Sequence, residues 1–104
     1  MPRKPLDLSK AVIYMICCKD PTITDKYLSS TTENIKRKSA HKKECNDPNH
    51  KNYNLNAYQF IREHGGWNNW SMVVLEKFPC TDKLELSKKE REYFEQFKPT
   101  LNKV

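Results

Sequence analysis

Two short runs of apolar, β-branched and aromatic residues on either side of an Asp-Pro turn constrain this chain more than any other feature. Ala11 to Cys18 (AVIYMICC) reads as a strand, Asp20-Pro21 as a turn, and Ile23 to Ser29 as a second strand. The pair is expected to form an antiparallel hairpin whose connection falls in the usual range of about 2 to 6 residues. Alternation along the first strand puts Val12, Tyr14 and Ile16 on one face and Ile13, Met15 and Cys17 on the other, so Tyr14 need not be core filler.

The remaining elements follow in order. Ser30, Thr31 and Thr32 are cap candidates, with Ser30 and Glu33 spaced as a capping box, and a helix is expected from about Thr32 to Lys43 in which Ile35 and Ala40 look buried. Glu44 to Asn54 carries Asp47-Pro48 and little that is apolar, and reads as a loop. A second helix from Leu55 to His64 places Ala57, Tyr58, Phe60 and Ile61 on one side, and Gly65-Gly66 supplies a left-handed stop. Trp70 to Phe78 reads as a third strand, buried on both faces through Met72 to Leu75 and lying centrally or beside the hairpin. A third helix runs from about Asp82 to Phe97 with an apolar face of Leu86, Tyr93, Phe94 and Phe97, and Pro99 blocks its continuation. This order suits an α+β fold, a three-stranded antiparallel or mixed sheet flanked by about three helices. It is one domain over 10–104, with Met1 to Ser9 as a loose basic arm.

At 104 residues the chain can bury only a modest core. Lysine and arginine number 19 against 13 acidic residues, a net charge of +6, and much of the excess lies between Lys36 and Lys51. Such a stripe attracts a phosphate backbone and releases its counterions, although a charge run is also a common solubilising surface. No stretch approaches the length of about 20 apolar residues that spans a bilayer, and Met1 to Lys10 lacks the apolar centre of a secretory signal, so a soluble intracellular protein of cytoplasm or nucleus is expected. Cys17 and Cys18 are adjacent, and reduced thiols are the default for all four cysteines.

Several side chains are candidates for chemistry. Arg37 presents a fixed fork of donors that suits a phosphate oxygen and the charge that grows on it in a transition state. His41 lies four residues on, on the same helical face, where it can hold a hydrogen-bond network or meet a phosphate; Lys36, Lys38, Lys42 and Lys43 surround both, which also describes a solvated basic helix. On the third helix Glu90 falls near the centre of the apolar face whereas Glu85 and Glu92 point away, and an inward carboxylate needs a cation or another partner such as Lys36 or Arg37. His41, Cys45 and His50, with Cys80, have spacings that zinc can use, but no paired CxxC element accompanies them.

Val12-Ile13-Tyr14 and Tyr27-Leu28-Ser29, with Arg37 ten and His41 fourteen residues after Tyr27, resemble the signature of the GIY-YIG nucleases. Val12 and Ser29 stand where that family has glycines, and Asn34 where a large apolar residue is commoner. A glycine at position 29 would give a positive backbone angle or room for a phosphate. The resemblance covers about Val12 to Asn102 and is closest in pattern to small versions of the domain in large DNA viruses. It implies a metal-dependent DNA endonuclease in which Tyr14 helps deprotonate the attacking water, Tyr27 orients the phosphate site, Arg37 grips the phosphate and His41 supports the network. A phenol with a pKa near 10 needs a neighbouring cation to act as a base. Glu90 would hold one Mg2+ or Mn2+ at the leaving oxygen, and Lys36, Lys38, Lys42, Lys43 and Asn102 would contact DNA or order the periphery of the site. The alternatives are a catalytically weak or inactive DNA-binding or virion-associated module, and a structural module with a basic surface.

Overall fold

In the computed structural model, which describes residues 8–102, the first strand Val12–Cys18 (β1) is the middle of a three-stranded sheet, between Lys26–Thr31 (β2) and Trp70–Lys77 (β3). Both pairings are antiparallel. Asn34–Asn46 (α1) and Asn56–Glu63 (α2) cover one face, and Lys83–Phe97 (α3) covers the other. Short 3-10 turns at Leu8–Lys10, Trp67–Asn69 and Thr100–Asn102 complete the chain. This is the expected α+β architecture. Among the described residues no helix is long and apolar enough to cross a membrane.

Helices on both sides explain why β1 is apolar without interruption. Tyr14 and Ile16 belong to one core with Cys45, Ala57, Tyr58, Ile61, Trp67, Trp70 and Leu101, whereas Ile13 joins Leu8, Ala11, Leu28 and Leu86 in a second. Ile13 and Leu28 are wholly inaccessible, each contributing roughly 1.5 to 3 kcal/mol of transfer free energy. Leu8, within the predicted arm of Met1 to Ser9, is buried in the second core; residues 1–7 of that arm fall outside the described part.

Several boundaries differ from the sequence reading. Asp20 Oδ1 accepts from both the Thr22 N–H and hydroxyl, an Asx turn that holds the connection, so β2 begins at Lys26 and Ile23 packs on the first core instead of pairing. The strand runs on through Ser30 and Thr31, which removes the predicted capping box; α1 begins after Glu33, whose side chain makes no cap bond and whose N–H donates to Thr31 Oγ1. β3 is an edge strand, with Val73 and Val74 substantially exposed rather than buried on both faces, and a register shift opposite Ile13 and Tyr14 interrupts its pairing. Ile35 is 83 % exposed, and Phe94 is exposed while Leu86, Tyr93 and Phe97 pack. At the start of α1, Asn34 Oδ1 is buried without a hydrogen-bond partner among the described residues. Replacing that orphaned amide with an apolar side chain, Asn34→Leu, is expected to raise stability by about 1 kcal/mol, read as a higher urea midpoint at unchanged slope.

The outer edge of β2 is closed from far along the chain. Asn102 Oδ1 accepts from the Leu28 N–H at 2.8 Å and Asn102 Nδ2 donates to the Leu28 carbonyl at 2.6 Å, while neighbouring Leu101 enters the first core. Both backbone groups of Leu28 on that side are thereby satisfied, as an edge strand requires. Asn102→Ala should cost about 2 kcal/mol by urea unfolding, the loss of two partly buried hydrogen bonds.

Candidate active site

Register decides which side chains meet. Tyr14 lies opposite Ser29 and their side chains share the face covered by α1 and α2; Ile13 lies opposite Ser30, which faces α3. Arg37, His41 and Glu44 follow one another at intervals of four and three on α1, one stripe of the helix turned to the first face.

His41 sits at the centre of this arrangement and is 1 % exposed. Its Nε2 lies 2.7 Å from the Tyr14 hydroxyl and its Nδ1 2.7 Å from the Tyr58 hydroxyl. The rings of Tyr14, Tyr27 and Tyr58 meet it edge-on, and Trp67 stacks on it at 6.1 Å. It is therefore no member of a solvated basic face and cannot reach a phosphate itself. Titratable groups face it from every side: Tyr14 from β1, Tyr27 from β2, Arg37 and Glu44 from its own helix and Tyr58 from α2. Burial, with the Arg37 charge, holds its pKa down to about 4 in spite of Glu44.

Tyr14, which the alternation of β1 left free to be something other than core filler, is fully buried in the first core. Burial pushes its phenol above the ordinary value, and the neighbouring Arg37 guanidinium and Ser29 hydroxyl pull the other way. Burial opposes the Arg37 charge too, yet Tyr14 and Glu44 outweigh that and hold the guanidinium above its usual range. Arg37 Nη1 donates to Glu44 Oε2 at 3.3 Å, with the arginine side chain 38 % exposed, so part of the fork faces outwards.

Glu44 is the residue the sequence reading misses. Its polar neighbours point to a loop, but α1 extends to Asn46 and the carboxylate is buried, accepting from Asn52 Nδ2 at 2.8 Å and from the Tyr58 hydroxyl at 3.4 Å. The interval of three from His41 is the available signal.

Glu90 reaches β2 from the other face. Its Oε2 accepts from Ser30 Oγ at 3.2 Å, and neither Lys36 nor Arg37 pairs with it: Lys36 is drawn to Glu33 and Arg37 to Glu44. Burial raises the Glu90 pKa, the Ser30 hydroxyl alone opposing it. The carboxylate lines an open hollow of about 340 Å³ with Ser87, Arg91, Phe94, Glu95 and Asn102. Arg37, beside Tyr14 and Glu44, and Glu90, on Ser30, thus lie on opposite faces of the sheet rather than in one hollow. Asn102 has both ends of its amide on Leu28, so it orders the edge instead of presenting a free contact.

The lysines divide. Lys38 and Lys42 line a hollow of about 300 Å³ with Lys19, Trp67 and Trp70, whereas Lys36 lines a different one with Lys10 and Asn34, and Lys43 is exposed. The zinc combination does not assemble: both His41 nitrogens are taken, Cys45 is in the first core, Cys80 packs on the second, and His50 Nδ1 accepts from the Asn52 N–H. Among the described residues no group of three or more His, Cys, Asp or Glu is placed to hold a metal.

A family model, the GIY-YIG catalytic domain, matches residues 10–103. The chain belongs to the GIY-YIG family. Its fold is that of a nuclease-type domain, and the matched region contains both tyrosines, Arg37, His41 and Glu90. No curated protein and no solved structure matches it. Against the GIY-YIG pattern, the serine at position 29 carries no backbone strain: it lies in β2, and Lys98 is the only non-glycine with a positive φ among the described residues. Its hydroxyl instead adds a polar group beside Tyr14.

The depressed His41 pKa sets a pH dependence. The unfolded chain takes up this proton near 6.5 and the folded protein only near 4, so the associated stability is complete above about 6.5 and is lost as pH falls towards 4. That contribution is on the order of 3 kcal/mol. Urea unfolding of His41→Gln should show a flatter fall across this interval than the parent protein.

Proposed function

We propose that this GIY-YIG domain hydrolyses phosphodiester bonds in DNA, with Arg37 on the scissile phosphate and Tyr14 accepting the proton of the attacking water. The observation that carries this reading is the junction of the Tyr14 hydroxyl, Arg37 and neutral His41 Nε2 on one face of β1 and β2, in a chain whose family match spans nearly all of it. A phenol whose pKa is raised above its ordinary value is a poor base unaided. As the water proton passes to the Tyr14 oxygen, the phenol's own proton passes to His41 Nε2, leaving hydroxide for phosphorus and an imidazolium between two tyrosines. Arg37, whose side chain is part-exposed, stabilises the negative charge gained by the phosphate. Lys38 and Lys42 supply sequence-independent backbone attraction beside the site.

The Glu90 site suits a hard divalent cation. A half-buried carboxylate without an ion-pair partner among the described residues, beside a serine hydroxyl and in a hollow shared with the Arg91–Glu95 pair, offers oxygen donors of the kind Mg2+ prefers. When bound, such an ion supplies charge neutralisation at the leaving oxygen.

Supercoiled plasmid in magnesium is the direct test. Cleavage is expected to fall on the order of 100-fold or more in Arg37→Ala, and steeply in Glu90→Gln. Equal behaviour of parent and both variants overturns the proposal. Complete burial of Tyr14 favours a second reading, a DNA-binding module of this fold that does not cut; it predicts salt-sensitive filter binding without any nicked product.

A further inference from the structure

We infer that Glu44 and Tyr58 are positioning residues that hold His41 as its Nδ1-protonated tautomer, so that the Tyr14 hydroxyl donates to Nε2 and turns its lone pairs towards the phosphate side. The value of this arrangement for catalysis rests on the nuclease reading; the tautomer itself does not. The hydrogen bonds at the inner end set the direction, and the charge at the outer end favours the same one.

At the inner end, Tyr58 has one hydroxyl proton and two neighbours, His41 Nδ1 at 2.7 Å and Glu44 Oε1 at 3.4 Å. A carboxylate only accepts, so the Tyr58 proton belongs to Glu44 and the Tyr58 oxygen takes a proton from Nδ1–H. The reverse choice would set an oxygen lone pair of Tyr58 against the carboxylate in the dry interior. Other donors hold the Glu44 carboxylate in place, since Asn52 Nδ2 donates to the same Oε1 at 2.8 Å and Arg37 Nη1 to Oε2 at 3.3 Å. At the outer end, the Arg37 guanidinium and the Ser29 hydroxyl lie beside the Tyr14 hydroxyl. A guanidinium only donates, so it favours a Tyr14 oxygen that turns its lone pairs that way and sends its proton to His41 Nε2, 2.7 Å away.

Glu44 therefore touches both halves of the site. One of its oxygens orients the Tyr58 hydroxyl and, through it, His41; the other holds the guanidinium beside Tyr14. Its charge also lies where an imidazolium at His41 needs an anion, two hydrogen bonds away from the reacting phosphate. Partners that orient a histidine by its far nitrogen are typically worth about 10- to 100-fold.

Long-range 15N–1H correlation NMR of uniformly labelled protein at pH 7 reads the tautomer without substrate or metal. Protonated Nδ1 and unprotonated Nε2 are expected for His41; protonated Nε2 overturns the inference. In Glu44→Gln the amide can donate to Tyr58, and in Tyr58→Phe the acceptor for Nδ1–H is gone, so both variants should show a mixed or reversed tautomer. Their kcat should fall by about 10- to 100-fold with KM within about twofold. A folded variant of either kind that keeps the parent tautomer overturns the assignment, even if its thermal stability has dropped. Should the parent cut no plasmid while the tautomers behave as described, the positioning role stands and the nuclease reading alone fails.

Discussion

The imidazole of His41 is the joint on which this domain turns. Its two nitrogens tie β1 to α2 through Tyr14 and Tyr58, and its own backbone belongs to α1, so three elements meet at one ring. Both nitrogens are matched only while the ring stays neutral, and burial enforces that state. A protonated ring would present two donors and force one hydroxyl to reorganise. Hydrogen bonding in the first core and proton management in the site are therefore one set of contacts.

The edge of β2 organises everything around that joint. Alternation sends Ser29 to the Tyr14 side and Ser30 to the Glu90 side, so the guanidinium and the carboxylate lie on opposite faces of the sheet. Exposure divides the same way, since the Arg37 side chain is part-exposed and Glu90 lines an open hollow while the tyrosine rings pack in or against the first core.

Much of this was legible in the sequence. Three strands and three helices in their chain order, the Gly65-Gly66 stop and the helical intervals of the site residues follow from local periodicity and turn chemistry, which report on neighbours in the chain. What escaped depends on partners far apart. The apolar run of β3 gives no sign that it is an edge strand, because Val73 and Val74 look the same whether covered or bare. His41 also reads as part of a wet basic helix and Glu44 as the start of a loop, and partners from other elements, the hydroxyls of Tyr14 and Tyr58 and the amide of Asn52, make their burial tolerable. Ser29 suggested a strained replacement for glycine, yet a strand that continues past it asks for extended backbone, which serine adopts freely.

The clamp between Asn102 and Leu28 joins positions separated by 74 residues. During synthesis, the motif tyrosines and Arg37 leave the ribosome long before the amide that secures their strand. Nascent chains therefore carry both motif tyrosines and Arg37 while the edge of β2 is still untied, and that edge is closed only when the Thr100–Asn102 turn folds against it.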